Sequence, residues 1–181
     1  KNQTGYQNLI QLVTKAHLEG FYYKPRVDKE LLSEYSQGLI ALSACIKGEV
    51  PNLILQGRLD EAKQAARWYQ QTFGDFYLEI MRHPIPELEQ INQGLIPMSR
   101  ELGIPLVATN DVHYVNKKDA STHDLLMCIG TNSSIYDEKR MKMAGDFFYL
   151  KGPEEMAELY ADIPEALENT ELIAQMCHLE L

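Results

Sequence analysis

An acidic side chain and an imidazole side chain stand one residue apart in the run ATNDVHY, where Asp111 is followed by His113. In an extended chain, residues two positions apart point to the same side, so these two side chains can converge on one point. A carboxylate oxygen and an imidazole nitrogen are common ligands of divalent metal ions. The pair therefore predicts half of a metal site. A tight turn that carries a surface histidine is the alternative interpretation.

Two further segments supply side chains of the same chemical kind. The apolar run LIALSA leads to Cys45, and the run DFYLEI carries Glu79, with His83 four residues later. A deprotonated thiol is a soft metal ligand, and a carboxylate near an imidazole repeats the chemistry of the first pair. Cys45 could instead be a small buried apolar residue, Glu79 an ion-pair partner and His83 a loop residue. Spacing alone leaves these alternatives open.

Each candidate ligand follows or ends a run with the length of a short strand, and helical segments separate these runs. Residues 59–73 form a strong helix pattern that Gly74 closes, and PLVATN at residues 105–110 forms the third strand pattern. The order helix, strand, helix, strand, helix, strand is typical of βα units in a parallel sheet or barrel. Because catalytic groups of such barrels gather at the carboxyl ends of the strands, we expect the candidate ligands at that edge.

The segments around these units are predicted to be mainly helical. GYQNLIQLVTKAHLEG predicts an amphipathic helix that ends at Gly20, and Asp28 is a candidate N-cap of a short helix that Gly38 stops. After the third strand, DASTHDLLMCIG predicts a helix capped by Asp119 or Ser121, and the run FFYL predicts a brief edge strand. Two helices, each opened by a proline, are predicted for the last thirty residues.

Composition and charge bound the class of protein. The 181 residues are 45% hydrophobic and 24% charged, as expected of one globular domain with a sizeable core. The formal net charge of -9 argues against a surface that tracks nucleic-acid phosphates, because such surfaces depend on lysine and arginine. No apolar run reaches the roughly 18 to 20 residues that cross a bilayer, so a cytoplasmic location without a membrane contact is expected. Three cysteines without a CxxC motif favour free thiols.

An aromatic cluster, Phe21, Tyr22 and Tyr23, precedes Lys24 and Arg26. Such a mixture can stack on nucleic-acid bases and neutralise phosphates. The favoured interpretation is instead a loop that packs against the barrel, with both cations in solvent.

The remaining cysteines and histidines have no motif around them. Cys128 and Cys177 lie on apolar helix patterns and are expected in the core. His17, His123 and His178 fall within helices, where surface or core roles are expected. The sequence contains no glycine-rich phosphate loop, nucleophile elbow or HExxH motif, so those chemistries have no support.

Longer runs of this sequence resemble one known family. The runs are GYQNLIQLV, EGFYYKPRVDKELL, GLIALSAC followed by GEVP, FYLEI, PLVATNDVHY, DEKRMKM, FYLKGPEEM and IPEALENTELIA. In order and spacing they resemble the PHP (polymerase and histidinol phosphatase) domain of the bacterial DNA polymerase III alpha subunits. The resemblance implies an α/β fold in which residues 1–150 are the larger, C-terminal part of a distorted seven-stranded βα barrel. Residues 151–181 would form a helical connection toward the polymerase palm.

The resemblance also implies roles for the candidate ligands. Asp111 and His113 look like the last ligand pair of the family's metal cluster, and Cys45 looks like the ligand after the LIALSA-type strand. Glu79 and His83 fall in matching runs near the same rim. The implied ion is zinc or manganese. Because the family's H-x-H strand and further ligands would precede the first residue, we expect an interior fragment that by itself binds metal weakly and is catalytically silent.

The parent activity that the resemblance implies is template-directed DNA synthesis by a cytoplasmic DNA-directed DNA polymerase. Its partners would be DNA, deoxynucleotides and other replicase subunits, such as a sliding clamp and a proofreading subunit. The palm aspartates and their magnesium ions would lie outside this segment, which holds no catalytic residue for polymerisation.

Three interpretations of the segment's own role remain. In the first, the segment is part of a metal-dependent 3′-5′ exonuclease or pyrophosphatase. In the second, it is a structural module that braces the polymerase and docks the proofreading subunit. A free-standing hydrolase similar to histidinol phosphatase is the third, and the polymerase-type runs EGFYYKPRVDKELL and IPEALENTELIA disfavour it.

Overall fold

A computed structural model describes residues 1–180, which fold into eight α-helices, three β-strands and one 3-10 turn. They are, in chain order, α1 (Gln3–Leu18), α2 (Lys29–Glu34), β1 (Ala41–Leu42), α3 (Glu49–Leu55), α4 (Leu59–Phe73), β2 (Phe76–Met81), α5 (Pro86–Leu102), β3 (Leu106–Thr109), the 3-10 turn (Lys117–Asp119), α6 (Ala120–Gly130), α7 (Pro153–Leu159) and α8 (Glu165–Met176).

The strands form a parallel sheet in the order β1-β2-β3. Ala41 lies opposite Phe76, and Leu78 lies opposite Leu106. Parallel neighbours need a crossover connection, which α3 and α4 provide between β1 and β2, and α5 between β2 and β3. The predicted order of βα units is therefore confirmed. The described residues contain a three-stranded sheet of this kind, whereas the full barrel of seven strands stays a prediction.

Two predicted strands are shorter in the structure. Of the run LIALSA, only Ala41–Leu42 is a strand, because the chain turns at Ala44, whose φ is +63°. The run FFYL forms a single bridge between Tyr149 and Tyr114 and no longer strand. The brief edge strand predicted for this run is therefore reduced to one bridged residue, with backbone hydrogen bonds on either side of it.

Several helix ends lie where single residues of the sequence predicted them. The Asp28 carboxylate accepts a hydrogen bond from the Leu31 N–H at 2.8 Å, as predicted for an N-cap. Gly74 and Gly103, with φ of +72° and +65°, end α4 and α5 at the predicted positions.

The start of α6 differs from the prediction. Neither Asp119 nor Ser121 caps the helix with its side chain. Asp119 ends the preceding 3-10 turn, and its carboxylate accepts hydrogen bonds from the backbone and side-chain amides of Asn116, both at 2.9 Å. These bonds form a capping box one turn earlier, which holds the pKa of Asp119 below its usual value.

The core lies between the sheet and helices from both halves of the chain. Helices α4 and α5 pack on β2, and α8 packs on β3. Its fully or almost fully buried members are mostly aliphatic and include Val50, Ile54, Ala62, Ala66, Phe76, Leu78, Ile80, Leu95, Met98, Ile104, Val107, Tyr160, Ile163 and Ala166. The last three belong to the segment predicted to be a connection toward another domain. These three residues belong to the same hydrophobic core as the strand residues. The predicted domain boundary at residue 150 stays a prediction.

Helices α1 and α2 precede the sheet in the chain, and the start of the chain contacts its amino edge. The Lys1 side chain pairs with Asp75. Because Asp75 directly precedes β2, this ion pair lies at the amino edge of the sheet. A Cβ on Gly5 would lie 2.0 Å from the Gly38 carbonyl oxygen, so this close approach requires glycine.

Two side-chain contacts join these helices to neighbouring segments. Asn8 donates to the Gln37 carbonyl at 2.8 Å. Lys29, at the start of α2, pairs at 2.8 Å with Glu49, the first residue of α3. Residues 19–28 form the loop between the two helices.

Candidate functional site

The predicted Asp111 and His113 pair follows the end of β3. Asp111 Oδ1 and His113 Nε2 are 3.1 Å apart, and their side chains are 45% and 38% exposed. The predicted convergence of the two side chains is therefore confirmed. We call these two residues the strand-end pair.

The spacing of the strand-end pair fits two donors to one divalent ion. With metal–ligand distances of about 2.1 Å and ligand–metal–ligand angles of about 90° to 110°, two donor atoms lie about 3.0 to 3.4 Å apart. The observed 3.1 Å falls within this range. Among residues 1–180, however, no group of three or more His, Cys, Asp or Glu side chains is arranged to hold a metal ion. The residues present fit as a pair of ligands and do not form a complete centre.

His83 lies next to this pair but faces its backbone. Its Nε2 accepts a hydrogen bond from the Asp111 N–H at 3.3 Å, and its buried ring packs against the adjacent rings of Phe147 and Phe148, with centroids 5.4 and 5.2 Å away. Burial, followed by the charge of Lys151, holds the pKa of His83 below its ordinary value. These contacts indicate that His83 is neutral and that it supports the turn at Asp111. Its role as a ligand stays a prediction.

Glu79 connects three strand ends. Its carboxylate accepts a hydrogen bond from the Thr109 hydroxyl at 2.7 Å, and its N–H donates to the Ser43 hydroxyl at 2.8 Å. These bonds tie the end of β2 to β3 and to the chain that leaves β1. Glu79 therefore takes part in a hydrogen-bond network with hydroxyl partners at the rim, and its role as a ligand stays a prediction.

Cys45 is exposed and lies in the loop that leaves β1. Its carbonyl accepts a hydrogen bond from the Gly48 N–H at 2.8 Å, which closes a turn before α3. Within the described part of the chain, its thiol completes no metal-binding group with Asp111 and His113. Because the chain already turns at Ala44, the loop leaves the strand direction before it reaches Cys45. Its proposed role as a ligand stays a prediction.

The structure adds His123, which sequence reasoning left in an undefined helix position. Its ring centroid lies 5.6 Å from that of His113 and 5.4 Å from that of Tyr114. Phe148 packs edge-on against His113 at 5.4 Å. His113 is thus held by aromatic rings on two sides. No spacing in the sequence marks this contact, because His123 lies on α6 and the two residues meet only through the fold.

Lys151 supplies a positive charge beside the strand-end pair. Its ammonium group donates to the Phe147 carbonyl at 2.7 Å and to the Asn110 side chain at 3.3 Å, and it lies 4.5 Å from the centroid of the Tyr149 ring. Burial lowers its pKa from the ordinary value of lysine. The contact with Asn110, directly before Asp111, fixes this cation close to the end of β3.

A second set of strand-end residues joins the last helices to the sheet. Arg82, directly after β2, binds Asp162 through both of its terminal nitrogens, one of them at 2.8 Å. The buried Tyr160 hydroxyl lies 3.1 Å from the Ile80 carbonyl and 3.3 Å from the Thr109 carbonyl. Burial raises the pKa of Tyr160 to about 12. We call Arg82, Tyr160 and Asp162 the strand-end clamp.

Cys128 and Cys177 differ in burial. Cys128 is buried on α6, as predicted. Cys177 is exposed, which makes the prediction of a core position wrong, because α8 ends at Met176 and Cys177 is already in an extended conformation.

The first 83 residues of the chain match the PHP domain family. The matched range contains β1, β2 and His83, and the strand-end pair lies beyond it.

Nearly the whole chain is similar to DNA polymerase III alpha subunits. It is 52% identical over 178 residues to the protein of Borreliella burgdorferi, which covers 98% of this chain and 16% of that protein. It is 47% identical over 183 residues to the protein of Treponema pallidum, covering 100% of this chain and 16% of the relative. The protein of Thermus aquaticus is 46% identical over 188 residues, covering 100% and 15%.

This chain therefore spans about 16% of the length of the curated relatives it matches. None of the helices described in residues 1–180 is long and apolar enough to cross a membrane.

Proposed function

Since this chain belongs, as a segment, to the family of bacterial DNA polymerase III alpha subunits, we propose that it serves as PHP-domain sequence within a replicative DNA polymerase. In this proposal the parent protein synthesises DNA in the cytoplasm from a DNA template and deoxynucleotides. Its partners are other replicase subunits, including a sliding clamp and a proofreading subunit. The residues for polymerisation and their magnesium ions lie outside this segment.

The proposal treats the sheet as one arc of a seven-stranded barrel. Among the described residues, β1 and β3 each pair with one neighbour, β2. The outer edge of β1 carries backbone groups that a further strand can pair with, whereas the Leu106 carbonyl of β3 accepts a hydrogen bond from the Asn169 side chain at 2.7 Å. An arc of a barrel also explains why the candidate residues follow the carboxyl ends of successive strands.

We assign to the strand-end pair a share of a metal-dependent phosphoesterase site, with zinc or manganese as the ion and 3′-5′ exonuclease activity as the reaction. A bound divalent ion would polarise a phosphate ester and acidify a water molecule. Asp111 and His113 would provide two of its donors, and other parts of the parent, with Cys45 as a candidate, would provide the rest. His83 keeps the Asp111 turn in place, and Lys151 adds positive charge where a phosphate would approach.

One observation carries this assignment. Two side chains of ligand chemistry lie 3.1 Å apart at the carboxyl end of a parallel strand, and both are exposed to an incoming substrate. A carboxylate and an imidazole with only a structural role would gain little from such exposure, because surface pairs contribute only about 0 to 1 kcal/mol.

The test replaces Asp111 by asparagine in the full-length parent. Asp111→Asn keeps the shape of the side chain and removes its charge, so metal-dependent 3′-5′ exonuclease activity should fall by about 100-fold or more, while DNA synthesis continues. The matched control is Asp146→Asn, because Asp146 is exposed and its carboxylate lies 3.8 Å from Lys117 rather than against Asp111 or His113. Unchanged exonuclease activity and unchanged metal content in Asp111→Asn would contradict the assignment.

A second candidate function is a structural and docking module, and the strand-end clamp favours it. Arg82 and Tyr160 fasten the last helices to the ends of β2 and β3, and Glu79 and His83 are also engaged in structural hydrogen bonds. In this role Asp111→Asn would leave activity unchanged. Substitutions that loosen the clamp would instead weaken binding of the proofreading subunit, which a pull-down with purified subunits measures.

A further inference from the structure

We propose that residues 21–26 form a contact site for single-stranded DNA, in which tyrosine rings stack on bases and two cations approach phosphates. The proposal rests on the proposed function, since it assumes that DNA reaches this part of the parent protein. It concerns the loop between α1 and α2, which we call the aromatic loop.

The aromatic loop presents three adjacent large rings to solvent. Phe21, Tyr22 and Tyr23 are 59%, 62% and 83% exposed. The packing of this loop that we expected from the sequence is absent among the described residues. Single exposed apolar residues are common, whereas a contiguous cluster marks an interaction surface.

The loop is held in one conformation rather than left as an irregular connection. The Tyr22 N–H donates to the Lys24 carbonyl at 3.1 Å, and Tyr23 between them adopts a φ of +58°. Gly20 lies against the chain at Arg26, since a Cβ there would be 2.1 Å from the Arg26 carbonyl oxygen. A non-glycine residue in the left-handed region is maintained where its position matters.

The cations of the loop are available to a ligand, and acidic residues lie on both flanks of the loop. None of the ion pairs within residues 1–180 involves Lys24 or Arg26. The Arg26 guanidinium lies 4.9 Å from the centroid of the Tyr22 ring. Glu19 pairs with Lys15 at 3.7 Å, and the Asp28 carboxylate caps α2. Residues 21–26 themselves carry two cations and no acidic residue, although the whole chain carries a net charge of -9.

Rings with adjacent free cations fit single-stranded DNA better than a duplex. Unpaired bases expose faces on which aromatic side chains stack, and lysine and arginine neutralise the backbone between them. The faces of bases in a duplex are already stacked on one another.

The first experiment maps the contact by photo-crosslinking. A single-stranded oligonucleotide with 5-iododeoxyuridine at one position is irradiated with the full-length parent polypeptide, and crosslinked peptides are identified by mass spectrometry. We expect adducts on Tyr22 or Tyr23. Adducts that occur only elsewhere in the polypeptide would overturn the proposal.

The second experiment compares matched variants. The double variant Tyr22→Leu/Tyr23→Leu keeps apolar bulk but removes stacking, so single-strand affinity should fall by about tenfold, with duplex affinity little changed. Lys24→Gln should lower the slope of log affinity against log salt by about 0.7, as expected for one phosphate contact on a single strand. The control is Tyr136→Leu, since Tyr136 is 90% exposed and lies in a different loop.

A third measurement separates DNA from a protein partner as the occupant. Nitration of tyrosine without DNA should modify Tyr22 and Tyr23, and added single-stranded DNA should protect them. Protection in the absence of DNA would show that another part of the polypeptide covers the loop and would overturn the proposal. The proposed function is tested independently, because Asp111→Asn should abolish exonuclease activity and leave the crosslink to the aromatic loop intact.

Discussion

The strand-end pair and the strand-end clamp begin at neighbouring positions of one sheet but differ in how completely their polar atoms are engaged. The Tyr160 hydroxyl bridges the carbonyls at the ends of β2 and β3, and Arg82 binds Asp162 and the Leu159 carbonyl. Asp111 and His113, by contrast, have polar side-chain atoms whose protein partner is each other, and both side chains are partly exposed to solvent. The first set has the character of a structural joint, and the second set keeps atoms available for a ligand.

The comparison shows that position at a strand end does not assign function by itself. Glu79 and His83 have the residue types of ligands and lie at the same edge, yet their contacts are with Thr109 and with the Asp111 backbone. Exposure and unused bonding capacity, rather than residue type, separate the candidate chemical groups from the structural ones.

The largest effect is expected from removing the buried ring of the clamp. Tyr160→Ala deletes an aromatic side chain that is almost completely buried, so the free energy of unfolding should fall by about 3 to 5 kcal/mol. Urea denaturation measures this change. Tyr160→Phe, which removes only the hydroxyl, should lower it by about 1 kcal/mol. An equal loss in both variants would mean that hydrogen bonds rather than packing hold the last helices.

A smaller effect is expected from the charged half of the clamp. Arg82→Met keeps most of the apolar stem but leaves the Leu159 carbonyl without its donor, so stability should fall by about 1 to 2 kcal/mol. The same denaturation series measures it. If Arg82→Met destabilised the chain as much as Tyr160→Ala, the ion pair would be the main element of the joint.

The clamp should also respond to acid. The hydrogen bond from Arg82 is the main cause that holds the pKa of Asp162 below its ordinary value of 3.8. A group whose pKa is lowered on folding stabilises the fold above its unfolded pKa and loses this contribution as the pH falls through the folded value. The stability difference between the wild type and Asp162→Asn should therefore be present at about pH 7 and shrink toward about pH 3. A difference that grows on acidification would contradict this assignment.

The smallest effect on stability is expected at the strand-end pair. Asp111→Asn and His113→Gln should each change the free energy of unfolding by no more than about 0.5 kcal/mol, because both side chains are exposed. Titration calorimetry with manganese or zinc should nevertheless show weaker metal binding by the parent. A loss of stability comparable to that of Arg82→Met would remove the contrast between the two regions and favour the structural role.

Local sequence patterns predicted much of the scaffold. Helix ends at Gly74 and Gly103 and the N-cap at Asp28 depend on one or two residues, so they could be read directly. The convergence of the Asp111 and His113 side chains is also local, because the two residues are only two positions apart. The short bridge at Tyr149 and the exposure of Cys177 depend on the residue at which a strand or helix ends. Contacts with neighbouring segments decide that residue.

The sequence by itself determined the order of parallel βα units and the presence of a carboxylate and an imidazole at one strand end, because these depend on periodicity and near spacing. Its longer runs also carried the resemblance to the family. Tertiary structure alone decided that His123 packs beside His113, that Cys45 completes no cluster within the described residues, and that Tyr160 joins β2 to β3. Such contacts join residues far apart in the chain. They arise from the relative placement of whole elements, which no local pattern encodes.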